Sequence, residues 1–270
     1  MDPTDIARRN PARVERALSS VGQLYDQYFR CETEGIDHVP GDGPAILFGN
    51  HCGSTYTLEG PLLSVAILRR YGTAHPLYYM VHRAFFDVPV LRDFLLDAGA
   101  VNADRDTAVR VLEAGGQLMA FPGGDRDSHK PFSERHQVNF HGHTGFLRLS
   151  IRQRVPLVPF VHVGTHEALF VISRGERIAK ALRLKKLLGL NVFPLTLSFP
   201  FGLSLGPYFA AIPLPSKVRI RVLPPMRLWE LGYDDPDNPE QCRAALSMLT
   251  QRLQDELDEL AHARKRVLLG

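Results

Sequence analysis

Between residues 45 and 163 the chain alternates short apolar runs with longer amphipathic stretches, and this alternation restricts the fold more than any other feature. The runs with strand character are AILFGN, PLYYMVH, AVNA, QLMAFPGG and VPLVPFVHVG. The stretches with helical character are LEGPLLSVAILRRYG, VPVLRDFLLDAG, RDTAVRVLEAGG and GHTGFLRLSIRQR. Strands that alternate with helices pair in parallel, and the helices cover the sheet. We therefore predict an α/β fold, a single domain with a mostly parallel central sheet flanked by helices.

Both ends of the chain are predicted to be helical. Apolar residues recur at helical spacing over residues 11–29, and a charged helix covers residues 239–266 after a strand in KVRIRVLPPMRL. The sequence contains no internal repeat and no linker. We divide the 270 residues into an N-terminal amphipathic helix in residues 1–30, which packs on or leads into the domain, and a domain with a C-terminal helix in residues 31–270.

The charge balance and the cysteines exclude several classes of protein. A formal net charge of +3, from 32 basic and 29 acidic residues, is too small for a general nucleic-acid binder. Three scattered cysteines form neither a disulfide framework nor a Cys-x-x-Cys metal site, and they fit a reducing compartment. The N-terminus is charged throughout and lacks the apolar run of a secretory signal. The histidine spacings match no metal-binding pattern, so we predict neither a metal nor a bound cofactor.

A basic segment and a charge-free segment follow each other in the second half of the chain. From Arg174 to Lys186 six basic residues accompany one acid, and apolar residues share one face of a predicted amphipathic helix. Residues 187–216 are long enough to cross a bilayer, but their prolines and glycines favour strands and loops over a spanning helix. One interpretation is a membrane surface formed by residues 174–215. The other is a core helix with a solvated basic face beside ordinary strands.

Polar loops follow several strand ends, which is where working groups gather in open α/β sheets. In NHCGSTYTLEG, His51 ends a predicted strand and can act as a general base beside a carboxylate. Two residues could pair with His51. Tyr56, five residues on, can form a hydrogen bond but carries no negative charge at neutral pH, whereas Glu59, eight residues on, is a carboxylate that would lie about 12 Å away along a helix. Contact with Glu59 therefore requires a loop between the two residues. The alternatives are a structural histidine and a thiol nucleophile at Cys52 that uses His51 as its base.

Two further loops carry arginines at strand ends. In FPGGDRD, Gly123 and Gly124 allow the backbone to approach a ligand, and Arg126 can bind a phosphate or carboxylate through its planar guanidinium. In NADRD, Arg105 can do the same. The alternative interpretation is a tight turn with solvated charges, in which Arg105 pairs with its neighbouring aspartates.

Four blocks, NHCGSTYTLEG, NADRD, FPGGDRD and VPLVPF, occur in the order and spacing of the four sequence blocks of the glycerolipid acyltransferases. The chain resembles that superfamily, also called the lysophospholipid acyltransferases, from about Tyr28 to Pro225. It is most similar to a bacterial branch, common in actinobacteria, with Asn-His-Ser-Gly-Gly, Tyr/Phe-Pro-Gly-Gly-Asp and Asn/Asp-Phe-x-Gly-Arg-Thr-Gly-Phe motifs. The resemblance implies a glycerol-3-phosphate acyltransferase-like fold, with residues 31–270 as the acyltransferase domain.

The resemblance also implies a reaction. A fatty acyl group passes from a thioester, acyl-coenzyme A or an acyl-carrier protein, to a glycerolipid hydroxyl, and the enzyme is peripheral on the cytoplasmic side of a membrane. His51 becomes the general base that deprotonates the hydroxyl for direct attack on the thioester, with Glu59 as its acidic partner. The substrate-binding positions are Arg105, Gly123, Gly124, Asp125, Arg126 and His143. Backbone N–H groups near the glycines would stabilise the oxyanion.

Three residues depart from the superfamily patterns. Glu59 stands in for aspartate, Gly123 replaces the glutamate of Phe-Pro-Glu-Gly-Thr-Arg, and His143 replaces the arginine of the bacterial branch. Gly123 favours a neutral acceptor such as diacylglycerol, whereas Arg126 favours the acceptor that we predict, a lysophospholipid or 1-acylglycerol 3-phosphate. A different class of function is a catalytically inactive lipid-binding protein that keeps the same fold.

Overall fold

The structure is a computed structural model that describes residues 6–51, 57–87, 89–206 and 212–264. The strands are β1 (Glu32–Glu34), β2 (Ala45–Gly49), β3 (Leu77–Val81), β4 (Ala100–Asn102), β5 (Gln117–Ala120), β6 (Leu157–Val163), β7 (Phe170–Ser173), β8 (Leu195–Ser198), β9 (Gly202–Leu205) and β10 (Arg219–Val222). The α-helices are α1 (Pro11–Gln23), α2 (Glu59–Tyr71), α3 (Pro89–Ala98), α4 (Arg105–Glu113), α5 (Gly124–Ser128), α6 (Gly145–Gln153), α7 (Thr165–Ala168), α8 (Glu176–Ala181), α9 (Leu184–Leu188) and α10 (Pro239–His262).

The described strands form a large sheet and a small one. The large sheet has seven strands in the order β1-β10-β6-β2-β5-β3-β4. Its neighbours are parallel except for β10 and β6, which are antiparallel. The small sheet, β7-β8-β9, is antiparallel. These findings confirm the predicted α/β fold with a mostly parallel central sheet flanked by helices.

Helices cover both faces of the large sheet, which explains why its central strands are continuously apolar. Every residue of β2 and β6 is buried. Side chains alternate along β2, so Ile46 and Phe48 pack with α4, α6 and α10, while Ala45 and Leu47 pack with α2. The parallel register of β2, β5 and β6 brings their C-terminal ends side by side. Residues that follow these three strands therefore share one edge of the sheet.

The segment after β7 differs from the sequence prediction in one respect. The basic stretch predicted as one helix forms the two short helices α8 and α9, because Arg183 between them has left-handed backbone geometry, at φ 54°. The proline- and glycine-rich stretch that follows forms β8 and β9 with loops, as predicted. Among the described helices, none has both the length and the apolar character to cross a bilayer.

Candidate active site

His51 and Glu59 meet at the C-terminal end of β2. His51 follows the strand by two residues, and Glu59 is the first residue of α2. The ring nitrogen Nδ1 of His51 and the carboxylate oxygen Oε1 of Glu59 form a hydrogen bond, and Glu59 is fully buried. Because α2 begins at Glu59, the eight-residue separation is not a helical one. Cys52, the alternative nucleophile, and Tyr56 lie outside the described residues.

The electrostatics of Glu59 favour the carboxylate form. Burial, the largest influence, would raise the pKa of Glu59, but the charge and hydrogen bond of His51, together with nearby His162, hold it below the ordinary value. An ionised Glu59 accepts the Nδ1–H of His51, which fixes the tautomer. The same carboxylate can stabilise an imidazolium that carries a second proton at Nε2.

An aromatic wall holds the His51 ring in place. The ring stacks on Phe121, with centroids 4.4 Å apart and an angle of 16° between the planes. Phe121 in turn meets Phe160 edge to face at 5.7 Å. Phe121 directly follows β5 and Phe160 belongs to β6, so three neighbouring strands fix the histidine. Phe121 therefore shields one face of the His51 ring from water.

A buried ion pair holds the backbone of His51. The His51 N–H donates to Oδ2 of Asp127 at 2.7 Å, and Oδ1 of Asp127 accepts from Nζ of Lys130 at 2.7 Å. Lys130 also donates to the carbonyl of Gln137 at 2.7 Å. Asp127 and Lys130 are each 1% exposed. Neither residue was singled out from the sequence, although opposite charges three positions apart after Gly123 and Gly124 were a possible signal.

The glycine pair serves this arrangement in two ways. A Cβ on Gly123 would lie 2.3 Å from Cβ of Asp127, so only glycine lets Asp127 approach closely. Gly124 has left-handed geometry, at φ +61°, which favours glycine. The N–H of Gly124 donates to the carbonyl of Phe121 at 3.0 Å. Neither this N–H nor that of His51, which bonds Asp127, serves as an oxyanion donor.

Asn50 ties the ends of β2 and β6 together. Its amide donates to the carbonyl of His162 at 3.1 Å and accepts from the N–H of His162 at 3.1 Å. The ring Nε2 of His162 lies 2.7 Å from the carbonyl of Asn50. Asn50 thus extends the pairing of the two strands beyond their backbone ladder and fixes the position from which His51 leaves the sheet.

The remaining candidate residues fall into two places. Asp125 accepts from the backbone N–H and side-chain amide of Asn191 at 2.5 and 3.0 Å. Nδ1 of His143 lies 2.8 Å from the carbonyl of Pro122. His143 therefore lies beside the turn at Gly123 and Gly124, which we call the glycine turn.

Arg126 and Arg105 occupy different parts of the surface. Arg126, at the glycine turn, forms a half-exposed ion pair with Glu176 at 3.4 Å. Arg105 begins α4 after the edge strand β4 and lines a separate cleft with Asp104 and Arg110. The described contacts connect Arg126, but not Arg105, with the elements around His51.

Buried histidines surround the site. His129, His162 and His166 are all at most 9% exposed. Burial lowers the pKa of each, and it lowers that of His129 to about 4. All three are therefore neutral in the folded protein at neutral pH. Among the described residues, no group of histidine, cysteine or carboxylate side chains is arranged to hold a metal ion.

We expect the free energy of unfolding to fall as the pH is lowered from about 6.5 toward 4. A histidine in the unfolded chain binds a proton near pH 6.5, roughly, whereas folded His129 stays neutral down to about pH 4. The folded protein therefore has its full stability above about pH 6.5, the pKa of histidine in the unfolded chain. It loses stability as the pH falls from there to about 4, the pKa of folded His129. His129 alone accounts for about 3 kcal/mol of the loss.

Urea unfolding across this pH range tests the expectation. His129→Gln should flatten the pH dependence, whereas His262→Gln, at an exposed position of α10, should leave it unchanged. An unaltered slope for His129→Gln would show that the buried histidine is not responsible.

The chain is similar to known proteins in sequence and in fold. Residues 30–163 match the model of a family described as Acyltransferase. An uncharacterized protein of Mycobacterium tuberculosis is 28% identical over 247 residues, which are 92% of this chain and 66% of that protein. The chain therefore spans slightly less than two thirds of the length of this relative. Human diacylglycerol O-acyltransferase 2 is 29% identical over 85 residues, 30% of this chain and 22% of that protein.

A solved structure shares the fold. The crystal structure of the 1-acyl-sn-glycerophosphate acyltransferase from Thermotoga maritima superimposes with a TM-score of 0.57 and covers 94% of this chain and 81% of its own. The sequence identity is 16%, so the likeness concerns the fold.

Proposed function

This chain belongs to the Acyltransferase family, within the glycerolipid acyltransferase superfamily, and from that membership we propose that it moves a fatty acyl group from acyl-coenzyme A to a lipid hydroxyl. The observation that carries the proposal is the buried hydrogen bond between His51 and Glu59 at the end of β2. An acyl-carrier protein is the other donor that offers the same thioester. The reaction takes place at a membrane, where the enzyme is peripheral on the cytoplasmic side.

The chemistry needs one base and no acyl-enzyme. Nε2 of His51 takes the proton of the acceptor hydroxyl while the oxygen attacks the thioester carbonyl. Glu59 stabilises the imidazolium through Nδ1–H. The tetrahedral intermediate then collapses, the C–S bond breaks, and the proton on His51 passes to the departing thiolate. The products are an ester and free coenzyme A, so atoms and charge balance.

We propose a lysophospholipid or 1-acylglycerol 3-phosphate as the acceptor, on the basis of Arg126. Its guanidinium lies at the glycine turn and pairs with Glu176, and both side chains are about half exposed. A solvent-exposed pair of this kind contributes little, so a phosphate can replace Glu176 and bind through two parallel hydrogen bonds. The head group would then lie at the rim of the site, and the free hydroxyl would reach His51.

A neutral alcohol such as diacylglycerol is the second candidate acceptor. Gly123 stands where the wider superfamily has glutamate, and Asp125 places a negative charge beside Arg126. Similarity to diacylglycerol O-acyltransferase 2 over 85 residues supports this alternative. On this alternative Arg126 remains with Glu176 and takes no part in acceptor binding.

The substitution Arg126→Gln discriminates between the two acceptors. If the acceptor carries a phosphate, we expect kcat/KM for that acceptor to fall about 10- to 100-fold, because a charge-assisted bidentate contact is lost. The assay uses radiolabelled acyl-coenzyme A with lysophospholipids, 1-acylglycerol 3-phosphate and diacylglycerol. Arg227→Gln is the matched control, because it breaks a similarly exposed pair with Glu230, at 3.3 Å, outside the basic segment.

Each outcome of this assay has one interpretation. Equal turnover of phosphorylated acceptors by Arg126→Gln and the wild type would remove Arg126 from the acceptor site. Turnover of diacylglycerol alone would establish the neutral acceptor. Absence of turnover with every acceptor, both with acyl-coenzyme A and in a repeat of the assay with an acyl-carrier protein as donor, would favour a lipid-binding protein that has kept the fold without the activity.

A further inference from the structure

The small sheet is built with its polar and apolar faces reversed. Along β8 and β9 the leucines point outward: Leu197 is 52% exposed and Leu203 is 66% exposed. The two residues on either side of Leu197 in β8 point inward, since Thr196 and Ser198 are 2% and 5% exposed. An antiparallel sheet with one face in water normally buries its apolar side chains and exposes its polar ones. The outer face of this sheet is therefore suited to an apolar environment.

The strand register makes this outer face continuous. Phe170 of β7 lies opposite Leu197 of β8, and Leu197 lies opposite Leu203 of β9, so three apolar side chains form a row across the sheet. A second pair, Leu195 and Leu205, lies beside that row. Neighbouring side chains in such rows lie close enough to form one patch. Contiguous exposed patches of this kind mark surfaces of interaction rather than ordinary solvent-exposed surface.

The charges beside the patch favour an anionic partner. Helices α8 and α9 lie between β7 and β8 in the chain. These helices and the turn between them expose Leu182, Leu187 and Leu188 among or directly after the basic residues. From residue 174 to 186 that segment carries six basic residues and one acid. Apolar side chains flanked by lysine and arginine match the acyl chains and anionic head groups of a bilayer. A second copy of this chain on the same patch would bring like charges together.

Hydrogen bonds connect the small sheet and its two helices, α8 and α9, directly to the glycine turn. Asn191, between α9 and β8, donates twice to the carboxylate of Asp125. Arg174, which follows β7, donates from Nε to the backbone carbonyl of Arg126 at 3.0 Å. The small sheet and its two helices are therefore attached to the turn that supports His51.

We propose that the outer face of β7-β8-β9, with α8 and α9, lies on an anionic membrane surface with its leucines among the acyl chains. This inference rests on the proposed function, because it gives the route by which a membrane lipid reaches His51. Five exposed basic residues contact the head groups, namely Arg177, Lys180, Arg183, Lys185 and Lys186. The apolar rows supply the remaining attraction. The lipid acceptor then enters from the bilayer side of the glycine turn.

Vesicle binding measured without acyl donor tests the docking surface. The probes are vesicles of phosphatidylcholine with and without phosphatidylglycerol. We expect Leu197→Ser/Leu203→Ser to reduce the partition coefficient at least about tenfold, because two outward apolar side chains are lost. Leu24→Ser/Leu231→Ser removes two exposed leucines elsewhere and should bind as the wild type does. Circular dichroism establishes that each variant is folded.

Charge reversal tests the electrostatic part separately. We expect Lys185→Glu/Lys186→Glu to reduce binding to anionic vesicles about tenfold or more and to weaken its dependence on salt. Arg16→Glu/Arg243→Glu changes the net charge equally at exposed positions outside the patch and serves as the control.

The outcomes separate docking from catalysis. His51→Ala should lose turnover yet bind vesicles as the wild type does. Normal vesicle binding by a wild type that turns over no acceptor would refute the proposed function and support docking. Vesicle binding by Leu197→Ser/Leu203→Ser at the wild-type level would overturn the docking proposal. Sedimentation velocity tests whether a second copy of the chain occupies the face instead. If the wild type is a dimer, and Leu197→Ser/Leu203→Ser is a monomer that still binds vesicles as the wild type does, the face belongs to the dimer and the docking proposal is overturned.

Discussion

Replacing His51 with alanine is expected to lower the kcat of acyl transfer by about 10²–10⁴-fold, the range that a general base supplies. The bound acceptor would keep its proton, and its hydroxyl would attack the thioester only weakly. KM should change little, because the stacked ring contacts Phe121 and the acceptor proton but supplies little of the binding energy. Steady-state kinetics with radiolabelled acyl-coenzyme A and the best acceptor measure both parameters.

Glu59→Gln is the matched change at the partner position. The amide keeps nearly the same shape but removes the charge that stabilises the imidazolium, so we expect kcat to fall by about 10²-fold or more. Glu59→Asp tests the extra methylene. The hydrogen bond with His51 forms here at glutamate length, so the shorter aspartate should also reduce kcat. Wild-type kcat in Glu59→Gln would show that the pair is structural rather than catalytic.

Cys52 provides the control for a different mechanism. If the cysteine were the nucleophile, Cys52→Ser would abolish turnover and an acyl-enzyme would accumulate in a rapid burst. Direct attack by the acceptor hydroxyl predicts a small effect of Cys52→Ser and no burst. Activity lost in Cys52→Ser but kept in Glu59→Gln would reverse the assignment proposed above.

The fold could be predicted because its information is local. Strand runs such as that of β2 are apolar on both faces, and amphipathic stretches such as that of α4 follow them at short spacing. These patterns depend on neighbours within one element. The small sheet was harder to predict: β7 is four residues long, and exposed leucines at alternate positions of β9 resemble an ordinary buried strand.

The site could be predicted only in part, because its contacts join distant parts of the chain. His51 and Glu59 were singled out as a pair, but periodicity does not define how the chain brings them together, so the sequence alone does not establish their hydrogen bond. The contact between His51 and Asp127 joins residues 76 positions apart. In the sequence Asp127 and Lys130 resemble solvated charges. Their burial follows from the packing of a loop onto the sheet, which no local pattern encodes.

The second large effect is expected at the ion pair that supports His51. Asp127→Asn would leave Lys130 charged and buried at 1% exposure, and Lys130→Met would leave Asp127 in the same condition. Loss of one partner of a buried pair costs about 3–5 kcal/mol of folding stability. The double variant should be less destabilised than the sum of the two, since neither charge then remains unpaired. Urea unfolding of the four proteins gives this coupling energy.

Stability alone does not distinguish a positioning role from a structural one, so kinetics must accompany unfolding. The carboxylate of Asp127 fixes the backbone of His51 through a bond of 2.7 Å, and a displacement of about 1 Å at a base can cost about 10²-fold in rate. Folded Asp127→Asn should therefore lose kcat with little change in KM. Gly123→Ala keeps both charges yet places a Cβ 2.3 Å from that of Asp127, so it should lose kcat as well.

Gly124→Ala is the matched control for Gly123→Ala. A Cβ at Gly124 meets open space, although its φ of +61° carries a backbone cost. We therefore expect Gly124→Ala to reduce stability while kcat per folded molecule stays nearer the wild type. If the two alanine variants lost kcat equally, the effect would belong to the turn as a whole. If Gly123→Ala kept full kcat, the approach of Asp127 would not be what positions the base, and the glycine there would reflect the acceptor instead.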